Sequence, residues 1–131
     1  MSTIFSKIVA GEIPAYKVAE NDHFLAFLDI NPLAKGHTLV IPKKETDYIF
    51  DIEDQEYQDF FLFAKKVARS IKKCIQCEKV GIAVIGLEVA HAHIHLVPIN
   101  SIYDIDFSKP KLKLSPDEFK MIANRIAEKL E

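Results

Sequence analysis

Three of the five histidines of this chain lie in one short stretch, His91-Ala92-His93-Ile94-His95-Leu96-Val97, which is followed by Pro98. Histidine alternates with apolar residues, and this period of two predicts a half-buried strand over Glu88–Val97. Residues two apart on a strand share a face, so the pattern predicts a row of imidazoles on one surface. The residues expected to anchor the strand in a core are Ala92, Ile94, Leu96 and Val97. Because histidine titrates near neutral pH, the row indicates catalysis or metal binding.

The rest of the chain contains further strand and helix patterns. Strand-like segments separated by turn residues, as in an antiparallel meander, are Tyr16–Ala19, His23–Asp29 and His37–Ile41. Apolar residues at helical spacing run from about Asp54 to Cys77, and a second helix starts at the cap Ser115-Pro116. Two further segments are a short apolar run, Val80–Ile85, and a loop of low periodicity, Asn100–Leu114. This order predicts an α+β fold with a mainly antiparallel sheet, one long helix and a C-terminal helix.

Composition narrows the class of protein. A length of 131 residues suits a single domain, and 49% hydrophobic with 27% charged residues is typical of a soluble globular protein. The net charge of −2 gives no reason to expect nucleic acid or an anionic membrane as a partner. We find no signal-peptide pattern and no apolar run of about 20 residues. Because Cys74 and Cys77 also fit a reducing compartment, we expect a cytoplasmic protein.

Two kinds of chemistry suit three imidazoles. Zinc would need a further ligand such as Glu88 or Asp29, because the Cα atoms of the outer two histidines are about 13–14 Å apart on an extended strand. The cysteines Cys74 and Cys77 lie on the apolar stripe of the helix and have no second pair at zinc spacing. Nucleotidyl transfer needs a nucleophile, donors for phosphate oxygens and a group that fixes tautomers, and imidazoles can serve as all three. Without a glycine-rich loop, phosphate would be held by the histidines and by backbone N–H groups around Gly86–Glu88. We favour nucleotidyl chemistry with no metal and no cofactor.

Five blocks of the sequence resemble the histidine-triad (HIT) family of nucleotide hydrolases and transferases. The histidine stretch matches the family signature of three histidines separated by apolar residues. The other matching blocks are Thr3–Ile8, Gly11–Pro14, Phe24–Pro32 and Gly36–Lys44. The resemblance is greatest to the Hint-like branch of purine nucleoside phosphoramidases. It implies one HIT-like domain over residues 1–131, a homodimer with a continuous sheet, and a purine nucleotide or nucleotide conjugate as ligand.

The resemblance also implies a role for each matching residue. His93 matches the nucleophile that takes up the nucleotidyl group, His95 the histidine that contacts the α-phosphate, and His91 a supporting histidine. His37 matches an upstream histidine of the same polar cluster, and Asp29 matches the acceptor of the ribose hydroxyls. The apolar walls around the base correspond to six residues: Ile4, Phe5, Ile8, Phe27, Ile30 and Leu39.

Two regions of the sequence depart from the family pattern. The loop before the triad is short and lacks the usual Asn, and Glu88 falls where the Hint branch has a Ser near the α-phosphate. On a continuous strand Glu88 would face away from the histidines, whereas a bend at Gly86-Leu87 would bring it to the rim of the pocket as a nucleotide-binding residue. Zinc-binding relatives carry N-terminal cysteines and a later histidine where this chain has Ser6 and Glu45, so we predict no structural zinc.

The activity implied by the resemblance is hydrolysis at the α-phosphate of a purine nucleotide, of the phosphoramidate type, through a covalent nucleotidyl-histidine intermediate. Two alternatives remain open. One is hydrolysis of dinucleoside polyphosphates, as in the Fhit branch of the family, and the other is a nucleotide-binding adaptor with vestigial activity. Turnover of substrate would separate an enzyme from an adaptor.

Overall fold

A five-stranded antiparallel sheet and three α-helices form most of residues 3–131, the part of the chain that the computed structural model describes. The strands are β1 (Lys17–Glu20), β2 (Phe24–Leu28), β3 (Thr38–Pro42), β4 (Lys79–Ala83) and β5 (Ile94–Ile99). The helices are α1 (Ile4–Val9), α2 (Asp54–Cys74) and α3 (Pro116–Glu128), and a 3₁₀ turn covers Ile49–Asp51. The spatial order of the strands is β1-β2-β3-β5-β4, and every neighbouring pair is antiparallel. The expected α+β fold and the meander of the first three strands are therefore confirmed.

The two faces of the sheet bury different sets of side chains. One face packs against α2 and α3 and forms the larger part of the core, with strand residues Phe24, Ala26, Leu28, Val40, Ile94 and Leu96. The opposite face packs against α1 through Leu25, Phe27, Leu39 and Ile41. Successive strand residues point to opposite faces, and at β2 and β3 both faces are covered. These two strands are therefore buried along their whole length, and their sequences do not alternate in polarity. The second face, which is only partly covered, is where the histidines lie.

Local sequence signals explain where the helices begin and end. At the start of α3 the Ser115 hydroxyl accepts the Glu118 N–H, and the Glu118 carboxylate accepts the Ser115 N–H, which confirms the expected cap. The long helix α2 ends at Cys74 and not at Cys77, because Ile75 already has extended backbone. Sequence analysis missed α1, although Thr3 caps it by accepting the Ser6 N–H. Among the described residues, no helix combines the length and apolar character needed to cross a bilayer.

The histidine stretch is only partly a strand, which corrects the sequence prediction. The strand β5 starts at Ile94, so His91 and His93 precede it. The segment before Ile94 bonds to the loop after β3 and not to a strand ladder: the Ala92 N–H donates to the Thr46 carbonyl at 2.6 Å. The polar and the apolar residues of the stretch are all buried, and Val97 lies on the face of His95, two residues away from it. The alternation therefore reflects two buried faces, one of them lined with histidine.

Candidate active site

A row of side chains across the sheet forms one wall of the site. Strand pairing places Phe27 beside Leu39, and Leu39 beside His95. On the other side of His95 the neighbour is Ala83 of β4, the strand at the edge of the sheet. The sheet therefore fixes His95 next to two apolar side chains from β2 and β3.

A cavity of about 430 Å³ opens over this row, which is within the usual size range of small-molecule sites. Two of the four histidines expected to be catalytic, His93 and His95, line it. The structure also brings to this cavity all eight residues expected to bind nucleotide, which are Ile4, Phe5, Ile8, Phe27, Asp29, Ile30, Leu39 and Glu88. The lining is mainly apolar, with histidines and carboxylates at one part of it, as a base and a phosphate would require.

Two phenyl rings bracket the paired imidazoles. Phe5 of α1 packs edge-on to His93 with ring centroids 5.0 Å apart, and Phe107 packs edge-on to His95 at 4.7 Å. The His93 and His95 rings are themselves 4.9 Å apart. These contacts hold both rings in a setting that is 6–8% exposed, so water reaches them only through the cavity.

The hydrogen bond of His93 determines which of its nitrogens can react. Its Nδ1–H donates to the carbonyl oxygen of His91 at 2.7 Å, and a carbonyl can only accept. The neutral ring therefore carries its lone pair on Nε2, which has no hydrogen-bond partner among the described residues. No fully buried side-chain nitrogen or oxygen of those residues lacks a partner, so Nε2 of His93 must open onto the cavity. Its lone pair faces the cavity.

A backbone N–H fixes the tautomers of His37 and His95 in turn. The Leu33 N–H donates to Nδ1 of His37 at 3.0 Å, which leaves the His37 proton on Nε2. That proton is donated to Nδ1 of His95, also at 3.0 Å. The remaining proton of His95 is therefore on Nε2, which has no partner among the described residues and opens onto the cavity for the reason given for His93. His95 offers a ligand an N–H donor beside the lone pair of His93.

His91 lies behind His93 and does not line the cavity. Its ring is fully buried, and its Nε2–H donates to the Pro42 carbonyl at 2.8 Å. Its Nδ1 lies 3.0 Å from the Thr3 hydroxyl, which donates to it. With both nitrogens bonded, His91 can support His93 only through its own backbone carbonyl.

Burial keeps the supporting imidazoles neutral. Desolvation, with a smaller contribution from its neighbour His95, lowers the pKa of His37 to about 3. Desolvation and then His93 lower the pKa of His95 to about 4, and desolvation also lowers the pKa of His91. The lowered pKa values agree with the tautomers assigned above. In each of the three rings one nitrogen accepts a hydrogen bond, and only the neutral form of imidazole can accept.

Asp29 lies at the end of β2, between the cavity and His37. One carboxylate oxygen accepts the Asn31 N–H at 2.8 Å, and the other lies 3.6 Å from Nε2 of His37. That separation is too long for a hydrogen bond, and since His37 is neutral the two do not form an ion pair. Burial raises the pKa of the Asp29 carboxyl, and the nearby Glu88 acts in the same direction. Asp29 thus keeps an acceptor oxygen available to the cavity.

The loop between β4 and β5 bends, and this decides the position of Glu88. Gly86 has φ +73°, in the left-handed region that favours glycine. Beyond it Glu88 is exposed and lines the same cavity as His93. Of the two arrangements considered from the sequence, the structure has the bend that brings Glu88 to the rim of the pocket.

Sequence analysis missed several residues that complete the walls of the cavity. They are Ile13, Pro14, Ala15, Leu28, Asn31, Ile85, Val89 and Phe107, whereas Gly86 and Leu87, where backbone N–H groups were expected to hold phosphate, also line it. Phe107 comes from the loop after β5, where no periodic pattern could identify it, although an aromatic residue in a polar loop was a signal. The same loop contains Lys111, whose positive charge lowers the pKa of both Asp29 and His37 as a minor effect.

Two groups of side chains bear on metal binding. Within the described residues, Asp29, His37 and His95 are the group whose ligand atoms approach closely enough to share an ion, within 4.8 Å of one another. This group contains Asp29, one of the two carboxylates considered from the sequence, but not Glu88, and it contains only one histidine of the triad. At the position where the resemblance would place a zinc ligand, Ser6 donates its hydroxyl proton to Glu45, and zinc prefers thiolate, imidazole and carboxylate over hydroxyl ligands. The donor set at Ser6 therefore does not fit a structural zinc.

Comparison with known proteins places the chain in a family. The model of the HIT domain matches residues 10–102. The chain is 36% identical over 132 residues to an uncharacterised HIT-like protein of Borreliella burgdorferi, and the alignment covers 95% of each protein. It is 36% identical over 137 residues to an adenosine 5′-monophosphoramidase of Schizosaccharomyces pombe, and this alignment covers the whole of both proteins.

A solved structure agrees with this assignment. A Hit-like protein of Bartonella henselae superposes with a TM-score of 0.86 at 28% identity, over 98% of this chain and 96% of that one. The resemblance noted in the sequence is thus confirmed by sequence and by fold together. The chain belongs to the HIT domain family.

Proposed function

We propose that this protein hydrolyses purine nucleoside 5′-phosphoramidates to the nucleoside monophosphate and an amine, through a nucleotidyl group held on His93. The observation that carries the proposal is the pair of free ring positions in the cavity, a lone pair on His93 and an N–H on His95. A nucleophile beside a donor for phosphate oxygens is what nucleotidyl transfer requires. The apolar remainder of the cavity suits a nucleobase.

The proposed reaction has two steps. Nε2 of His93 attacks phosphorus, the phosphorus–nitrogen bond to the amine breaks, and the amine leaves with that electron pair and takes a proton from solvent. Water then attacks phosphorus, the bond to Nε2 breaks, its electron pair returns to His93, and the proton of water goes to solvent. Throughout, the His95 N–H donates to a phosphate oxygen, and Asp29 accepts from the ribose hydroxyls.

Similarity along the full length to a protein named for phosphoramidate hydrolysis supports an enzyme of this type. The carboxylate of Glu88 at the rim of the cavity favours an amine leaving group over a polyphosphate tail, because like charges repel. The purine preference stays a prediction from the resemblance, and the cytoplasmic location stays a prediction from the composition and the two cysteines.

A substrate panel tests the proposal. Adenosine and guanosine phosphoramidates, their pyrimidine counterparts and dinucleoside polyphosphates would be compared by kcat/KM, with intact-protein mass spectrometry of quenched reactions. We expect the purine phosphoramidates to be the best substrates and the mass to increase by one nucleotidyl group. A higher kcat/KM for dinucleoside polyphosphates would favour the first alternative, and binding without turnover would favour an adaptor.

Replacement of Glu88 tests the choice of leaving group. Glu88→Ser removes a negative charge at the rim, so the rate on polyphosphate substrates should improve relative to phosphoramidates, by about fivefold for an exposed charge worth about 1 kcal/mol. The measurement is the ratio of kcat/KM values for the two substrate classes at low ionic strength. Glu128→Ser, on the exposed side of α3, is the matched control and should leave the ratio unchanged. If the ratio is unchanged in Glu88→Ser as well, Glu88 has no part in selection.

Chelation tests the prediction that no metal takes part. Turnover should survive exhaustive treatment with EDTA, because the nucleophile and the phosphate donor are both ring nitrogens of the chain. The measurement is kcat before and after dialysis, with metal content followed by mass spectrometry. Loss of turnover that added zinc restores would instead point to the group of Asp29, His37 and His95.

We also propose that two copies pair into a homodimer with a continuous sheet. The strand β4 is at the edge of the sheet and pairs with β5 on one side only. Exposed edges are usually paired or covered, and Ile82 and Ile85 are exposed on this strand or just beyond it. These features support a second copy at this edge.

A further inference from the structure

A hydrogen-bonded cluster of three residues lies behind the histidines, on the side away from the cavity. Glu45, which follows β3, accepts the Thr3 N–H at 3.1 Å and the hydroxyl proton of Ser6. The Ser6 N–H donates to the Thr3 hydroxyl at 3.0 Å. The cluster therefore joins the first turn of α1 to the segment after β3.

The direction of each hydrogen bond in this cluster follows from its partners. The Ser6 hydroxyl holds the pKa of the Glu45 carboxyl below its usual range, so Glu45 is ionised and can only accept. The Thr3 oxygen accepts from the Ser6 backbone, so its own proton is free to be donated. It is donated to Nδ1 of His91, which can only accept because its Nε2–H is committed to Pro42.

His91 lies outside the ladder of β5, and hydrogen bonds to its ring hold it in place. Its ring is bonded on one side by Thr3 and on the other by the Pro42 carbonyl. Its own carbonyl accepts the Nδ1–H of His93 at 2.7 Å. A displacement of the His91 ring or backbone would therefore change the direction of the lone pair on His93.

We propose that Thr3, supported by Ser6 and Glu45, is a positioning residue that aims the attacking nitrogen of His93 through His91. The inference rests on the proposed function and assigns to it residues that lie outside the cavity. Their effect should appear in the chemical step, because reacting atoms must be held within a fraction of an ångström of the productive geometry. Thr3, Ser6 and Glu45 neither line the cavity nor meet a ligand there.

The test compares two substitutions of Thr3. Thr3→Val removes the hydroxyl at nearly constant volume and should lower kcat for a phosphoramidate by about 10-fold to 100-fold, with KM changed less than about twofold. Thr3→Ser keeps the hydroxyl and should restore most of kcat. Fraying of α1, which carries the wall residues Ile4, Phe5 and Ile8, would instead raise KM. A change in KM alone, or an unchanged kcat, would overturn the proposal.

Two further variants separate positioning from loss of a helix cap. Ser115→Ala removes the equivalent cap hydroxyl of α3, which bonds Glu118 and no histidine, and should leave kcat unchanged. Ser6→Ala keeps the Thr3 cap and the bond of the Thr3 N–H to Glu45 but loses the bond of the Ser6 hydroxyl to Glu45, so it should lower kcat in the same direction as Thr3→Val. It also provides a test if Thr3→Val does not fold. Wild-type kcat in Ser6→Ala would count against the proposal.

A spectroscopic measurement completes the test. In ¹⁵N-histidine spectra, His93 should be a single Nδ1–H tautomer in the wild type and in Thr3→Ser, and a mixture in Thr3→Val. A single tautomer in Thr3→Val would overturn the proposal. If the wild type itself neither turns over phosphoramidates nor forms a nucleotidyl adduct, the proposed function fails, whereas a fully active Thr3→Val removes only this inference.

Discussion

Replacement of His93 by alanine is expected to lower the turnover of a nucleoside phosphoramidate by about 10³-fold or more, because it removes the only nucleophile of the proposed mechanism. Nε2 of His95 carries the ring proton and so has no lone pair with which to attack. The lone pair on its Nδ1 accepts the hydrogen bond from His37. His95 therefore cannot take over the attack. The nucleoside monophosphate should still bind, because the apolar walls and Asp29 are unchanged. Steady-state kinetics and calorimetry with the monophosphate check the two statements separately.

The matched control is His23→Ala. His23 is exposed, precedes β2 and lies outside the cavity, so its loss should be nearly silent in kcat and KM. The nucleotidyl adduct should be trapped in His23→Ala and be absent from His93→Ala. Wild-type turnover in His93→Ala would mean that the proposed mechanism is wrong.

The second large effect is a loss of stability in mild acid. The pKa values of His37 and His95 in the folded protein, about 3 and about 4, are below the ordinary value of 6.5. Between the lowered folded pKa values and the ordinary value of 6.5, the unfolded chain binds more protons than the folded one, so stability falls as the pH falls. The stabilisation is fully present above about pH 6.5 and decreases as the pH falls toward 4.

The size of this effect at pH 5 is determined mainly by the unfolded chain. At pH 5, about 1.5 units below the ordinary pKa of 6.5, each of the two histidines gains a proton when the chain unfolds. This lowers the free energy of unfolding by about 2 kcal/mol per residue and about 4 kcal/mol together. That is a large part of the 5–15 kcal/mol typical of a folded domain. The measurement is the free energy of unfolding from urea titrations at pH 7 and pH 5.

A variant identifies the source of the acid sensitivity. In His37→Gln the difference in unfolding free energy between pH 7 and pH 5 should shrink by about 2 kcal/mol, because one of the buried imidazoles with a lowered pKa is gone. Carboxyl groups whose pKa is held low, such as Glu20, respond only at lower pH. Equal stability of the wild type at pH 7 and pH 5 would contradict the neutral, buried state of His37 and His95.

Much of the fold and of the candidate site could be predicted because the relevant signals are local. The antiparallel meander, the long helix and the Ser115 cap are each encoded by spacing within a few residues. The alternating histidines predicted one face lined with imidazoles, although not that this face is buried. The resemblance to the family then pointed to Asp29 and to the apolar residues that the structure brings to one cavity.

The parts that could not be predicted depend on contacts between distant segments. Periodicity alone places His91 on the strand, whereas a bond to the loop after β3 holds that segment away from the ladder. Phe107 lies in a loop without periodicity and reaches the site only because β5 leads into that loop. The helix α1 is too short for a helical pattern to be recognised, although Thr3 and Ser6 already carried its cap.

The hydrogen bonds of the four clustered histidines have a further thermodynamic consequence. Each ring bonds to a partner that determines which of its nitrogens carries the proton, so the cluster has one arrangement of protons and one set of ring orientations. A free imidazole in water exchanges between two tautomers and rotates about two bonds. Here that conformational entropy is lost when the chain folds, so it does not have to be lost again in each turnover.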